Sequence, residues 1–159
     1  MSRARILIAI GALLVLGAVN YSIFGKERIK RDGVVVYLDL MPVDPRSLMQ
    51  GDYMTLRFRL AQDIKGMVKP LPAEGEVALA PVNIGTNQVG NLALLSEAGN
   101  VRIRYRIRKG EVWLGTNAFF FEEGKEEQYA AARYGEFRVD PTSGEAVLVG
   151  LRDAGLKPL

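Results

Sequence analysis

The stretch VRIRYRIR, residues 101–108, alternates without a break between apolar and cationic side chains. A period of two is the signature of a strand with one face buried, so Val101, Ile103, Tyr105 and Ile107 are expected to point inward and Arg102, Arg104, Arg106 and Arg108 outward. Four guanidinium groups on one face repel one another. Either solvent screens them, in which case they blunt edge pairing, or acidic groups come to meet them, and Glu122, Glu123, Glu126 and Glu127 are the candidates. The same row is a candidate anion face, because guanidinium binds phosphate and carboxylate through two parallel hydrogen bonds.

Working outward, the same alternation recurs on both sides of this strand. GVVVYLDLM predicts a strand over about 34–41, and YMTLRFRL predicts another, with Met54, Leu56, Phe58 and Leu60 on one face and Tyr53, Thr55, Arg57 and Arg59 on the other. EGEVALAPVNI and GNLALLS read as strands bounded by Gly, Pro and Asn. Residues 118–135, AFFFEEGKEEQYAAARYG, read as a strand that breaks at Gly124 and passes into one short helix. Ala130, Ala131 and Ala132 favour that helix, the acidic residues suit its start, and Gly135 is placed to stop it. GEFRVD, PTSG and EAVLVGL read as strand, turn and strand. The expected fold is mainly β, of the α+β class: one antiparallel β-rich domain with one short helix.

Ahead of this domain lies a different kind of sequence. Residues 6–24, ILIAIGALLVLGAVNYSIF, hold no charge across nineteen positions, close to the roughly 20 apolar residues that cross a hydrocarbon core. A soluble helix would show a polar stripe, and none appears before Asn20. No suitably spaced pair of small residues marks a cleavage site in LGAVNYSIF. The expectation is an uncleaved signal anchor that enters the bilayer over about 6–24. Residues 1–32 then form the anchor with its polar connector KERIKRDG, and residues 33–159 form the domain.

Charge follows the same division. The chain carries a formal net charge of +3, yet from Gly33 to Leu159 there are 15 Lys and Arg against 16 Asp and Glu. The basic excess belongs to the flanks of the apolar segment, where it suits anionic headgroups. A nucleic-acid partner is not expected, since such a surface would carry its positive charge on the folded domain. Arg3 and Arg5 precede the segment and Lys26, Arg28, Lys30 and Arg31 follow it, so the positive-inside count leaves orientation open. The short basic start favours an extracytoplasmic domain.

The chain has no Cys and no His, which removes disulfides, thiol nucleophiles, imidazole bases and the usual zinc sites. Any enzyme here would rest on carboxylate, Lys, Tyr or Ser chemistry. No catalytic residue, cofactor or metal site is assigned. The acidic run EEGKEE does not follow the ligand spacing of a calcium loop.

VDPRSLMQGDYMTLRF, residues 43–58, is the densest cluster of structure-setting residues. Pro45 fixes φ and pushes Asp44 toward extended geometry, while Gly51 permits positive φ before a strand. Asp44, Arg46, Asp52 and Tyr53 form a polar group able to build an ion-paired or partner-binding loop. Ser47 to Asp52 is similar to the Gly-Asp turn of signal peptidases and LexA-like β-clip proteins, whose Ser-Lys dyad would here have to use Ser47 with Lys65 or Lys69. Both lysines fall in an apparent loop and not on a strand that would desolvate them.

PVDPRSLMQGDYMTLRF, FFFEEG, AARYGEFRVD and AVLVGLRD, taken in order behind an apolar segment, resemble the GDYXXLXY family of bacterial membrane-anchored proteins. Gly51, Asp52, Tyr53 and Leu56 match the motif, and Phe58 stands where the family name has Tyr, which argues against a catalytic hydroxyl there. The resemblance implies a small single-pass protein of the bacterial inner membrane with a periplasmic C-terminal domain, encoded beside multi-pass membrane proteins. The expected role is a non-enzymatic accessory subunit that binds a polytopic membrane protein, with Asp44, Pro45, Arg46, Gly51, Asp52, Tyr53 and Leu56 as its binding or structural motif. The alternatives are a signal-peptidase-like Ser-Lys hydrolase and an anionic-lipid-binding domain.

Overall fold

A computed structural model describes residues 3–41, 53–93 and 99–159. The apolar segment and the basic run after it form one helix, α1 (Arg3–Asp32), about 45 Å long at 1.5 Å per residue. With a mean hydropathy of 2.2 in its apolar window, α1 is long and apolar enough to cross a membrane, consistent with a single-pass anchor. The connector expected at KERIKR is therefore a continuation of that helix. Its residues are good helix formers, Lys30 reaches back to Glu27 at 3.1 Å, and Lys30 and Arg31 lie in the last turn, where the helix dipole favours cations. Ile29 is buried against the domain, and Gly33 N–H donates to Ile29 O at 2.9 Å. A Cβ at Gly33 would lie 2.5 Å from Ile29 O and 3.1 Å from Val139 N, so only glycine allows the helix to end this close to the sheet.

The domain is mainly β. β1 (Val34–Asp39), β8 (Tyr134–Val139) and β9 (Ala146–Arg152) make one antiparallel sheet in the order β1-β8-β9. β3 (Val77–Ile84), β4 (Gly90–Leu92), β5 (Val101–Arg108) and β6 (Glu111–Trp113) make a second in the order β4-β3-β5-β6. β2 (Tyr53–Thr55) pairs with β7 (Ala118–Phe120). Tyr37 N–H donates to Gln88 O at 2.8 Å, which joins the first sheet to the second. The inward faces of β1, β5 and β8 supply Val36, Leu38, Ile103, Tyr105, Ile107, Phe137 and Val139 to one core, as alternation demands.

In β8 three successive residues, Gly135, Glu136 and Phe137, are buried, so Glu136 is covered although alternation puts it on the face opposite Gly135 and Phe137. The register against β9 shifts between Glu136 and Phe137, with Val149 of β9 as the extra residue.

Two expected elements are corrected. YMTLRFRL is a strand only to Thr55. After an extended link in which Phe58 bridges to Leu40, the chain turns into α2 (Arg59–Met67). Met54, Leu56, Phe58 and Leu60 are nevertheless all buried. Leu60 and Ile64 are spaced i, i+4 on the buried face of α2, so a 3.6-residue period takes over from a period of two. The alternation merely coincides with it for one further residue. The second correction concerns the helix after Gly124. α3 (Glu126–Tyr129) is a single turn, and Gly135 lies inside β8, where a Cβ would come 2.8 Å from Phe58 Cε1. Its smallness serves packing between sheet and ring and does not end a helix.

Candidate functional site

Asp44, Pro45, Arg46, Ser47, Gly51 and Asp52 lie outside the described residues, so the described part of the sequence motif begins at Tyr53. Tyr53 opens β2 and faces Phe120 of β7 in register, with ring centroids 5.6 Å apart. Phe120 is 74% exposed. Leu56 is buried, and its N–H donates to Asn117 O at 2.7 Å. Phe58 is buried with its ring edge-on to Phe137 at 5.2 Å. The motif thus runs from a half-buried Tyr53, set against the exposed Phe120, into the core.

The arginine row of β5 is on the outer face, as alternation predicts, but its four members differ. Arg102 is exposed. Arg104 is half-buried and pairs with Glu145 at 3.2 Å. Arg106 is half-buried, opposite Trp113 of β6, and has no ion-pair partner among the described residues. Arg108 lies with its guanidinium 4.7 Å from the centre of the Trp113 ring, within cation–π range. The acidic run expected to neutralise this face does not supply the Arg104 partner: Glu122 pairs locally with Lys125 at 2.6 Å. The counter-charge comes from Glu145 instead. Arg104 N–H donates to Gly144 O at 2.7 Å, so the β8–β9 turn is fastened beside β5, and only the fold reveals it.

Glu145 also pairs with Lys26 of α1. Lys26, Arg104, Arg106 and Arg108 line a groove of about 570 Å³ between β5–β6, β7 and β9, with Trp113 and Phe120 among its apolar walls. Lys26 stands within electrostatic reach of Arg104 and Arg106. Four cations against one carboxylate leave this groove strongly positive. A second depression, about 440 Å³, lies between Tyr21, Phe24 and Arg28 of α1 and Asp140 and Ser143 of the turn. In that turn Asp140 accepts from the N–H groups of Ser143 at 2.7 Å and Thr142 at 2.9 Å. The Ser143 N–H bond, foremost, holds the Asp140 carboxyl below its ordinary range.

A buried ionic group sits elsewhere, under β8. Glu136 accepts from Arg152 Nε at 2.7 Å, and Arg138 approaches it at 3.7 Å. Arg152 in turn lies 5.8 Å from the centre of the Tyr37 ring. Both arginines come from the AARYGEFRVD and AVLVGLRD blocks, whose shared function in the structure is this closed charge group.

Lys65, a candidate general base, is not desolvated. It lies on α2 and pairs with Glu111 at 2.6 Å. Among the described residues no three carboxylates gather closely enough to hold a metal ion.

The blocks that carried the resemblance therefore converge: Phe58, in the link after β2, packs on Gly135 of the RYGEF block in β8, and β8 pairs with β9 of the AVLVGLRD block. Residues 15–151 match the family model described as GDYXXLXY protein. The chain belongs to the GDYXXLXY family. No curated protein and no solved structure matches it. The GDYXXLXY match reaches back to Val15, within the apolar part of α1, and so takes in the second half of that helix with most of the domain. Within the motif, Tyr53 and Leu56 are the described family positions, one half-buried and one in the core. Position 58 lies in the core, with the Phe58 ring against Gly135 and Phe137.

Proposed function

We propose that this GDYXXLXY protein is a non-enzymatic accessory subunit that holds a periplasmic domain on the surface of the bacterial inner membrane and binds a multi-pass membrane protein there. The observation that carries this reading is the unbroken passage of α1 into the domain. Ile29 is buried, Gly33 is locked to Ile29, and Glu145 pairs with Lys26. A tethered enzyme or scavenger that must reach solutes gains from a flexible linker. A domain clamped to its own anchor instead presents one face at one height, which suits contact with another membrane protein.

The face best suited to a partner is the exposed Phe120 with the half-buried Tyr53 against it, and the polar residues of 43–52 precede Tyr53 directly in sequence. Aromatic rings are enriched at interface centres. Affinity purification of the full-length chain from native membranes in mild detergent is expected to recover one dominant multi-pass protein. Asp52→Ala or Arg46→Ala should weaken that recovery without lowering the melting temperature. Recovery of abundant bystanders alone contradicts the proposal. A Ser-Lys hydrolase draws no support from Lys65, whose ammonium is already paired at the surface, and Ser47→Ala is expected to leave the recovered partner unchanged.

A further inference from the structure

We propose that the groove between β5, β7 and β9 binds the headgroup phosphate of an anionic phospholipid from the membrane that α1 enters, with Arg106 as its chief ligand. The inference rests on α1 being a membrane anchor and not on any protein partner, so the two proposals fail separately.

Position is the first argument. The nineteen uncharged residues 6–24 span roughly 28 Å as a helix, about the thickness of a hydrocarbon core. Lys26 comes two residues later, about 3 Å further along the axis, and lines the groove. The groove is therefore level with the headgroups. The Asp140–Glu145 turn, which borders Tyr21, Phe24 and Arg28, keeps the domain at that height.

Charge is the second. Glu145 is shared between Lys26 and Arg104, and Arg108 is stacked on Trp113. That leaves Arg106 half-buried with its guanidinium uncompensated among the described residues. Withdrawing a cation from water without a partner is unfavourable, and a phosphate accepts the two-pronged hydrogen bonds that guanidinium offers. The wall chemistry is the third. Trp113 and Phe119 flank the cations, and aromatic rings at headgroup depth are the usual companions of glycerol and upper acyl carbons. A site for inorganic phosphate alone would gain nothing from them.

The test is native mass spectrometry of the full-length chain in an uncharged detergent, with phosphatidylglycerol or phosphatidylcholine added. The expected result is one retained phosphatidylglycerol, resistant to excess inorganic phosphate, and about tenfold less retention in Arg106→Gln. Arg102→Gln, on the same strand and face but outside the groove, should retain lipid as the parent chain does. Equal retention of phosphatidylcholine overturns the proposal, as does displacement by inorganic phosphate, which would mark a free-anion site. Equal loss in both variants overturns it in favour of diffuse surface charge. Unchanged lipid in Arg106→Gln with loss of a co-purifying protein would assign the groove to an acidic protein segment instead.

Discussion

Lys26, two residues beyond the apolar part of α1, forms an ion pair with Glu145 in the turn just before β9, so one carboxylate fastens that turn to the anchor. Glu145 also holds Arg104 at 3.2 Å, which places it inside the positive groove. Removing it should therefore move two properties in opposite directions. Glu145→Gln is expected to lower stability by about 1 kcal/mol, the scale of a partly exposed ion pair, and to raise retention of phosphatidylglycerol. Melting curves and native mass spectra of the same preparation check both, and a fall in both would show that Glu145 shapes the groove without competing for its anion.

Gly135 touches the ring of Phe58. A Cβ there would lie 2.8 Å from Phe58 Cε1 and 3.2 Å from Leu148 Cδ1. Gly135→Ala should cost about 1–3 kcal/mol, the range for overpacking a filled core. Combining it with Phe58→Leu should recover part of the loss, because the second change removes the obstructing edge. Thermal denaturation of the full chain in detergent measures the coupling, and strictly additive losses would count against the contact.

Glu136 is the buried carboxylate among the described residues, held by Arg152 and flanked by Arg138. Glu136→Ala leaves two partly buried guanidinium groups without their anion, and is expected to cost about 3 kcal/mol. The double change Glu136→Leu with Arg152→Met should cost less than Glu136→Ala alone, since replacing a whole buried pair by apolar groups avoids a stranded charge. Denaturant midpoints compared across the three chains decide it.

Asp140 gives the domain a defined acid response. Its folded carboxyl titrates below its ordinary range, chiefly because Ser143 N–H donates to it. The associated stability is fully present above the unfolded value near 3.9 and is lost as pH falls through the lowered folded value. Asp140→Ala should therefore flatten the dependence of melting temperature on pH below about pH 4. An unchanged acid slope would mean the turn contributes nothing measurable.

These residues also show what was legible before the fold. The strand at 101–108 and the C-terminal hairpin could be read directly, because alternation and turn chemistry are local. The α2 helix could not, because Met54, Leu56, Phe58 and Leu60 keep a two-residue spacing across the point where the backbone changes state, and that outweighs the Leu60–Ile64 spacing. Gly135 reads as a helix stop for a similar reason: a glycine needed for close packing against a distant ring looks the same in sequence as one needed for positive φ. The arginine row was visible, but its division into an exposed Arg102, a paired Arg104 and an uncompensated Arg106 depends on Glu145 and Lys26. Those partners lie 41 and 78 positions from Arg104 in the chain, and no periodicity joins them.

The most direct test of the accessory-subunit account is site-specific photo-crosslinking in native membranes, with the probe residue in place of the exposed Phe120. The account predicts one dominant adduct, identified by mass spectrometry as a multi-pass membrane protein and reduced by Asp52→Ala. A ladder of abundant, unrelated proteins that is indifferent to Asp52→Ala would contradict it.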